Sequence, residues 1–239
     1  MTNELQKRII KAKLLRVLKK PSQTLALGIL AGMFISLGAL IMSVAKAEGC
    51  NKLVCGLIFS CGLFFVVVTG AELFTGNCMI DGLLTYDPDR DNLNTTKLLI
   101  FSYISNLVGA SITIAMVIGC GVDCSELIKM AVNKCNTPGF IIFIRAFACN
   151  VCVCLAVWLG VYIEPTNSKL EKFIAVVFPV TIFVACGFEH CVANMFILPF
   201  GLFAGEVDIL QVIVSLLLAS FGNLFGGFFL GALLSETMK

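Results

Sequence analysis

The chain has 239 residues, 59% of them hydrophobic, with a formal net charge of only +2 and a mean hydropathy of +0.98. A soluble domain is roughly half apolar, so this composition excludes a soluble globular protein and points to the bilayer. No nucleic-acid partner is expected, and the absence of a Gly-rich Walker-type phosphate loop argues against ATP-driven transport.

Residues 1–22 place Leu5, Ile9, Ile10, Leu14, Leu15 and Leu18 at helical spacing among Lys7, Arg8, Lys11, Lys13, Arg16, Lys19 and Lys20. This pattern predicts a basic amphipathic helix lying on the cytoplasmic leaflet, as a membrane anchor or as a gate at a pore mouth. It does not resemble a cleavable secretory signal, so the first apolar span is expected to stay in the mature protein.

A helix needs about 20 apolar residues to cross a bilayer, and residues 23–239 supply six such stretches: Thr24–Val44, Leu53–Leu84, Leu98–Val122, Gly139–Tyr162, Phe173–Leu202 and Ile209–Leu234. With the N-terminus inside, the cytoplasmic side also collects Arg90, Lys97, Lys169, Lys172 and Lys239. Lys46, Lys52, Lys129 and Lys134 face outward, and Arg145 sits near the outer end of the fourth span. The positive-inside rule then puts both termini in the cytoplasm of a multi-pass inner (plasma) membrane protein.

Twelve cysteines are present. Cys149, Cys152 and Cys154 fall mid-span, where free cysteine behaves as a small hydrophobe. Cys50, Cys120, Cys124 and Cys135 lie outside, and their pairing is left open. No metal or cofactor is expected.

An internal repeat decides the architecture. Gly70, Glu72 and Asn77 in the second span recur as Gly187, Glu189 and Asn194 in the fifth, and Asn106-Leu107-Val108-Gly109 in the third recurs as Asn223-Leu224-Phe225-Gly226 in the sixth, always 117 residues on. Three spans per copy force the second copy into the membrane in the opposite sense. The expectation is an all-α integral membrane protein of six transmembrane helices as two inverted three-helix repeats, about 23–122 and 138–236, with broken second and fifth helices. Irregular backbone at that depth survives where it is buried or lines a water-filled path, which predicts pore-lining breaks at Leu73–Asn77 and Glu189–Asn194.

His190 is the only histidine and lies mid-span, where an ionisable group marks a pathway or proton relay. Glu72 and Glu189 occupy equivalent positions, so they read as acceptors for backbone N–H groups freed by the breaks rather than as a catalytic pair. Asn77, Asn106, Asn150, Asn194 and Asn223 are candidates to satisfy broken backbone or orient pore groups. Phe59, Phe74 and Phe183 are candidates for apolar constrictions.

At these residues the chain resembles the formate/nitrite transporter family, which includes formate, nitrite and hydrosulfide channels. Val67-Val68-Thr69-Gly70-Ala71-Glu72-Leu73-Phe74-Thr75-Gly76 is similar to its first signature. Cys149-Asn150-Val151-Cys152-Val153-Cys154-Leu155-Ala156-Val157-Trp158 is similar to the second, though richer in cysteine, and Gly187-Phe188-Glu189-His190-Cys191-Val192-Ala193-Asn194-Met195 is similar to the segment bearing the central histidine. The resemblance implies an aquaporin-like protomer in a homopentamer with one pore per subunit. It places the pore histidine on His190, the loop threonine on Thr75, the neighbouring asparagines on Asn150 and Asn194, and the anion-attracting lysine on Lys134. Its apolar slits fall on Phe59, Leu63 and Phe183 and on Leu73, Phe74 and Val153, with Ala193 standing where a leucine is usual.

Together these readings describe a non-enzymatic, pH-dependent channel or transporter for small monovalent weak-acid anions, formate favoured, with nitrite or hydrosulfide as alternatives and protons as partners. The alternative of another class, a membrane redox enzyme or cofactor anchor, lacks the second histidine that a bis-histidine haem needs.

Overall fold

A computed structural model describes residues 19–85, 91–162 and 169–237. The amphipathic helix expected over 1–22 lies outside these residues, apart from its last four. Among the described residues there are nine helices and no strand: α1 (Pro21–Ala47), α2 (Lys52–Thr69), α3 (Phe74–Leu83), α4 (Asn92–Gly119), α5 (Ser125–Cys135), α6 (Gly139–Tyr162), α7 (Lys169–Ala185), α8 (Cys191–Phe203) and α9 (Ile209–Glu236).

Local chemistry sets the helix ends. Pro21 opens α1, where its missing N–H costs nothing. The Asn51 side chain accepts from the Leu53 and Val54 N–H groups at 3.0 Å to start α2, and Asp208 and Gln211 form a reciprocal capping box on α9. Gly70 ends α2 in the left-handed region at φ 68°, and Gly187 follows α7 at φ 69°. Both are positions that a side chain would strain.

Five described helices, α1, α2, α4, α6 and α9, are long and apolar enough to cross a membrane. The expected second span appears as α2 and α3, and the expected fifth as α7 and α8. Neither α7, with 17 residues, nor α8, with 13, reaches the length a bilayer crossing needs. The connection between the halves, read as a polar link, contains the short helix α5.

Close crossings hold the bundle together. A Cβ added at Gly32 on α1 would collide with the Asn106 backbone on α4, and one at Gly109 with the backbone carbonyl of Ile29. Gly222 and Gly226 bring α9 equally close to the carbonyls of Phe143 and Phe147 on α6. Association inside a bilayer gains little from apolar burial and relies on this kind of backbone approach. The outward faces carry exposed Phe140, Leu217, Phe221, Phe225 and Phe229, side chains suited to lipid or to another apolar surface.

A pair of interrupted helices at the candidate site

The interruptions are residues 70–73 between α2 and α3 and residues 186–190 between α7 and α8. Both begin earlier than the sequence reading placed them, because the left-handed glycine stops the helix before the glutamate. Thr75 and Asn77 stand in the first turn of α3, and Asn194 in the first turn of α8.

One cap serves each restart. Asn106 Oδ1 accepts the Phe74 N–H at 2.9 Å while its amide donates to the carbonyls of Gly28 and Glu72. Asn223 Oδ1 accepts the Cys191 N–H at 2.8 Å while its amide donates to the carbonyls of Ala146 and Glu189. Both asparagines are fully buried, and each makes three bonds to backbone, one N–H and one carbonyl at its break and one carbonyl of a neighbouring helix.

The glutamates do something other than expected. Among the described residues neither carboxylate receives a backbone N–H; each meets a lysine. Lys19 Nζ lies 2.6 Å from Glu72 Oε1, and Lys134 Nζ lies 2.6 Å from Glu189 Oε2, which also accepts the Asn194 amide at 2.9 Å. Their own backbone N–H groups go to neighbouring helices, Glu72 to the Leu27 carbonyl and Glu189 to that of Arg145. With the restart N–H groups held by asparagine, the carboxylates are left for cations.

His190 occupies the N-cap of α8. Its Nδ1 accepts the Ala193 N–H at 3.1 Å, and its Nε2 lies 3.2 Å from Thr75 Oγ1. An Nδ1 that accepts carries no proton, so the ring is the neutral tautomer with its proton on Nε2, directed at the threonine. Thr75 in turn is anchored through its carbonyl, which accepts from the Asn150 amide at 3.0 Å; that amide also donates to the Asn223 carbonyl. The first turn of α3 and the cap of α8 therefore meet, and both helices direct positive N-terminal ends at this point.

Several buried polar atoms here have no partner among the described residues: Glu72 Oε2, Asn77 Nδ2 and Oδ1, Asn150 Oδ1 and Asn194 Oδ1. Such atoms are costly in a sealed core and natural along a path that takes polar guests.

Two cavities lie at opposite ends of α2 and α7. The larger, about 300 Å³, is lined by Lys134, Glu189, His190, Phe59, Phe183 and Ala193, with further cations at its wall. Phe59 and Phe183 meet edge-on at 5.7 Å, and Phe183 stacks on the imidazole at 5.9 Å, which makes an apolar floor beside the ring. The smaller, about 50 Å³, is lined by Leu73, Val66, Gly76, Val157 and Lys172. Leu63, Phe74 and Val153 are buried and line neither of these two cavities; Phe74 instead packs edge-on against Tyr103 at 4.9 Å.

The rim of the larger cavity is tied down by Glu126 on α5, which pairs with Lys46 at 2.8 Å and Lys129 at 3.5 Å. Burial pushes the Glu126 carboxyl up, but the two lysines outweigh it and hold it below the usual carboxylate range. Cys50, Cys120, Cys124 and Cys135 are free thiols. Lys19, assigned from sequence to the basic amphipathic anchor or gate, was missed as the partner of Glu72, and Arg145 was missed as a cavity residue.

The profile of the formate/nitrite transporter family matches residues 3–236. The chain belongs to the formate/nitrite transporter family. Members are channels and transporters, and this one is a multi-pass membrane protein. It is 35% identical over 234 residues to the probable formate transporter of Methanothermobacter thermautotrophicus, covering 86% of this chain and 84% of the relative. Its fold superposes on an FNT family ion channel with a TM-score of 0.88 at 24% identity, covering all of both chains. A pentameric formate channel with formate bound matches with a TM-score of 0.80 at 26% identity, over 91% of this chain and 97% of that one.

Proposed function

We propose that this protein is a pH-dependent channel for small monovalent weak-acid anions, formate favoured, acting as a homopentamer with a separate pore in each six-span protomer. The repeated break, cap and glutamate, all at an offset of 117 residues, support two inverted three-span repeats. In this reading the larger cavity opens outward, the smaller one faces the cytoplasm of an inner-membrane protein, and both termini are cytoplasmic.

The observation that carries the reading is the meeting of Thr75 and His190 where the two interrupted helices restart, at the end of the cavity that holds Lys134 and Glu189. With Lys134 paired to Glu189, the remaining cations of the larger cavity and the helix N-termini raise the local anion concentration. Phe59, Leu63 and Phe183 on one side and Leu73, Phe74 and Val153 on the other strip water, which is expensive for a bare anion. Neutralisation of the anion by a proton drawn from water, assisted by the His190 Nε2–H and the Thr75 hydroxyl as hydrogen-bond donors, removes that cost. Asn150 holds Thr75, and Asn194 steadies Glu189, while Glu72 secures the first break.

The test is flux of formate, nitrite and hydrosulfide into proteoliposomes at two pH values, for the wild type and His190→Ala. Formate flux with a pH dependence that the variant lacks is the expected result. Failure of every one of these anions to move overturns the assignment, and preference for nitrite or hydrosulfide moves it to that substrate.

A further inference from the structure

We propose that Arg145 is an oxyanion-recognising residue of the larger cavity, selecting two-oxygen anions such as formate and nitrite over single-centre anions such as hydrosulfide or chloride. This rests on the channel reading above.

Four cations, Lys46, Lys52, Lys134 and Arg145, line that cavity. Two are already neutralised: Lys134 by Glu189 at 2.6 Å and Lys46 by Glu126 at 2.8 Å. Among the described residues neither Lys52 nor Arg145 makes an ion pair. The free positive charge of the cavity therefore belongs to these two, not to Lys134. Lys52 is exposed at the first residue of α2, at the rim. Arg145 is half-buried, two turns into α6, and its carbonyl accepts the N–H of Glu189, the residue before His190. Arg145 lines the cavity, and the lean of helical side chains toward the N-terminus of their helix would carry its guanidinium away from the break and toward the approach to His190.

An uncompensated cation within a spanning helix is expensive and persists where it lines a polar cavity. Its type matters as much as its charge. A guanidinium presents a rigid planar fork that two oxygens on one atom accept together, whereas an ammonium attracts by charge alone. Formate and nitrite have that geometry. Hydrosulfide and chloride offer one acceptor centre and gain nothing from the fork over a lysine.

The experiment compares wild type, R145K and R145Q in proteoliposomes, reading the concentration for half-maximal flux and the maximal rate for formate, nitrite and hydrosulfide. R145K is expected to raise the half-saturating formate and nitrite concentrations about tenfold, the worth of one charge-assisted hydrogen bond, with the maximal rate and hydrosulfide flux unchanged. R145Q is expected to weaken all three anions. On wild-type protein, formate is expected to slow phenylglyoxal modification of Arg145, read by peptide mass, where equal chloride does not; this arm needs no variant to fold. Equal formate-to-hydrosulfide preference in wild type and R145K, or modification blind to formate, overturns the assignment of Arg145 and leaves the channel reading standing. No flux of any anion in wild type overturns both.

Discussion

At the break between α2 and α3 the N-cap residue is Leu73, whose side chain bonds nothing, whereas at the break between α7 and α8 it is His190, whose ring accepts the Ala193 N–H. The two positions are 117 residues apart, the offset of the repeat. Around them the scaffolds agree: a left-handed glycine, a glutamate paired with lysine at 2.6 Å, and a buried asparagine on the restart N–H. The device that breaks a helix safely inside a bilayer is thus separable from the chemistry placed on it, since one copy carries an apolar side chain where the other carries the only titratable imidazole of the chain.

The comparison breaks first at the shared caps. Asn223→Ala removes three buried bonds and is expected to cost about 3–5 kcal/mol, with Asn106→Ala equally damaging, both read as thermal unfolding of detergent-solubilised protein. A large cost for one and none for the other would mean that the two breaks are not held alike.

The lysines sharpen it. Lys19→Ala strands Glu72, which is fully buried and whose Oε2 already lacks a partner; the expected loss is about 3 kcal/mol, the lower range for breaking a buried pair. Lys134→Ala strands a carboxylate that keeps the Asn194 amide, so its cost should be smaller. Adding Glu72→Gln to the first variant and Glu189→Gln to the second should recover stability in both. The reverse ranking would put the sturdier break at α2–α3.

The smallest effect tests the contact between the breaks. Thr75→Val leaves the His190 Nε2–H without an acceptor and is expected to cost about 1–2 kcal/mol, with reduced formate flux, while Thr75→Ser restores both. A valine variant with wild-type flux would exclude the hydroxyl from the path.

Much of this was legible before the structure. The repeat offset located both breaks to within a few residues and singled out Asn106 and Asn223, because a polar residue recurring at equivalent depth needs a common backbone task. The break boundaries slipped because the apolar run continues through Ala71 and Leu73, and the hydropathy that marks a span does not register a left-handed glycine. The glutamates were assigned to backbone because that need is local, whereas their lysines lie 53 and 55 residues away in sequence and are brought in only by packing. The helix α5 went unseen since its polar face hides it from a search for uniformly apolar stretches.

One detail of the unpartnered atoms bears on what travels. The Asn150 amide nitrogen donates to two carbonyls and that of Asn194 to Glu189, which leaves oxygen as the spare atom in both. The vacancies on these two amides are thus vacancies for a donor, whereas Asn77 leaves its amide nitrogen spare as well as its oxygen. Under the proposed pathway the two protonation states of a weak acid therefore meet different partners, the O–H of the acid at Asn150 and Asn194 and the oxygens of its anion at the Asn77 amide.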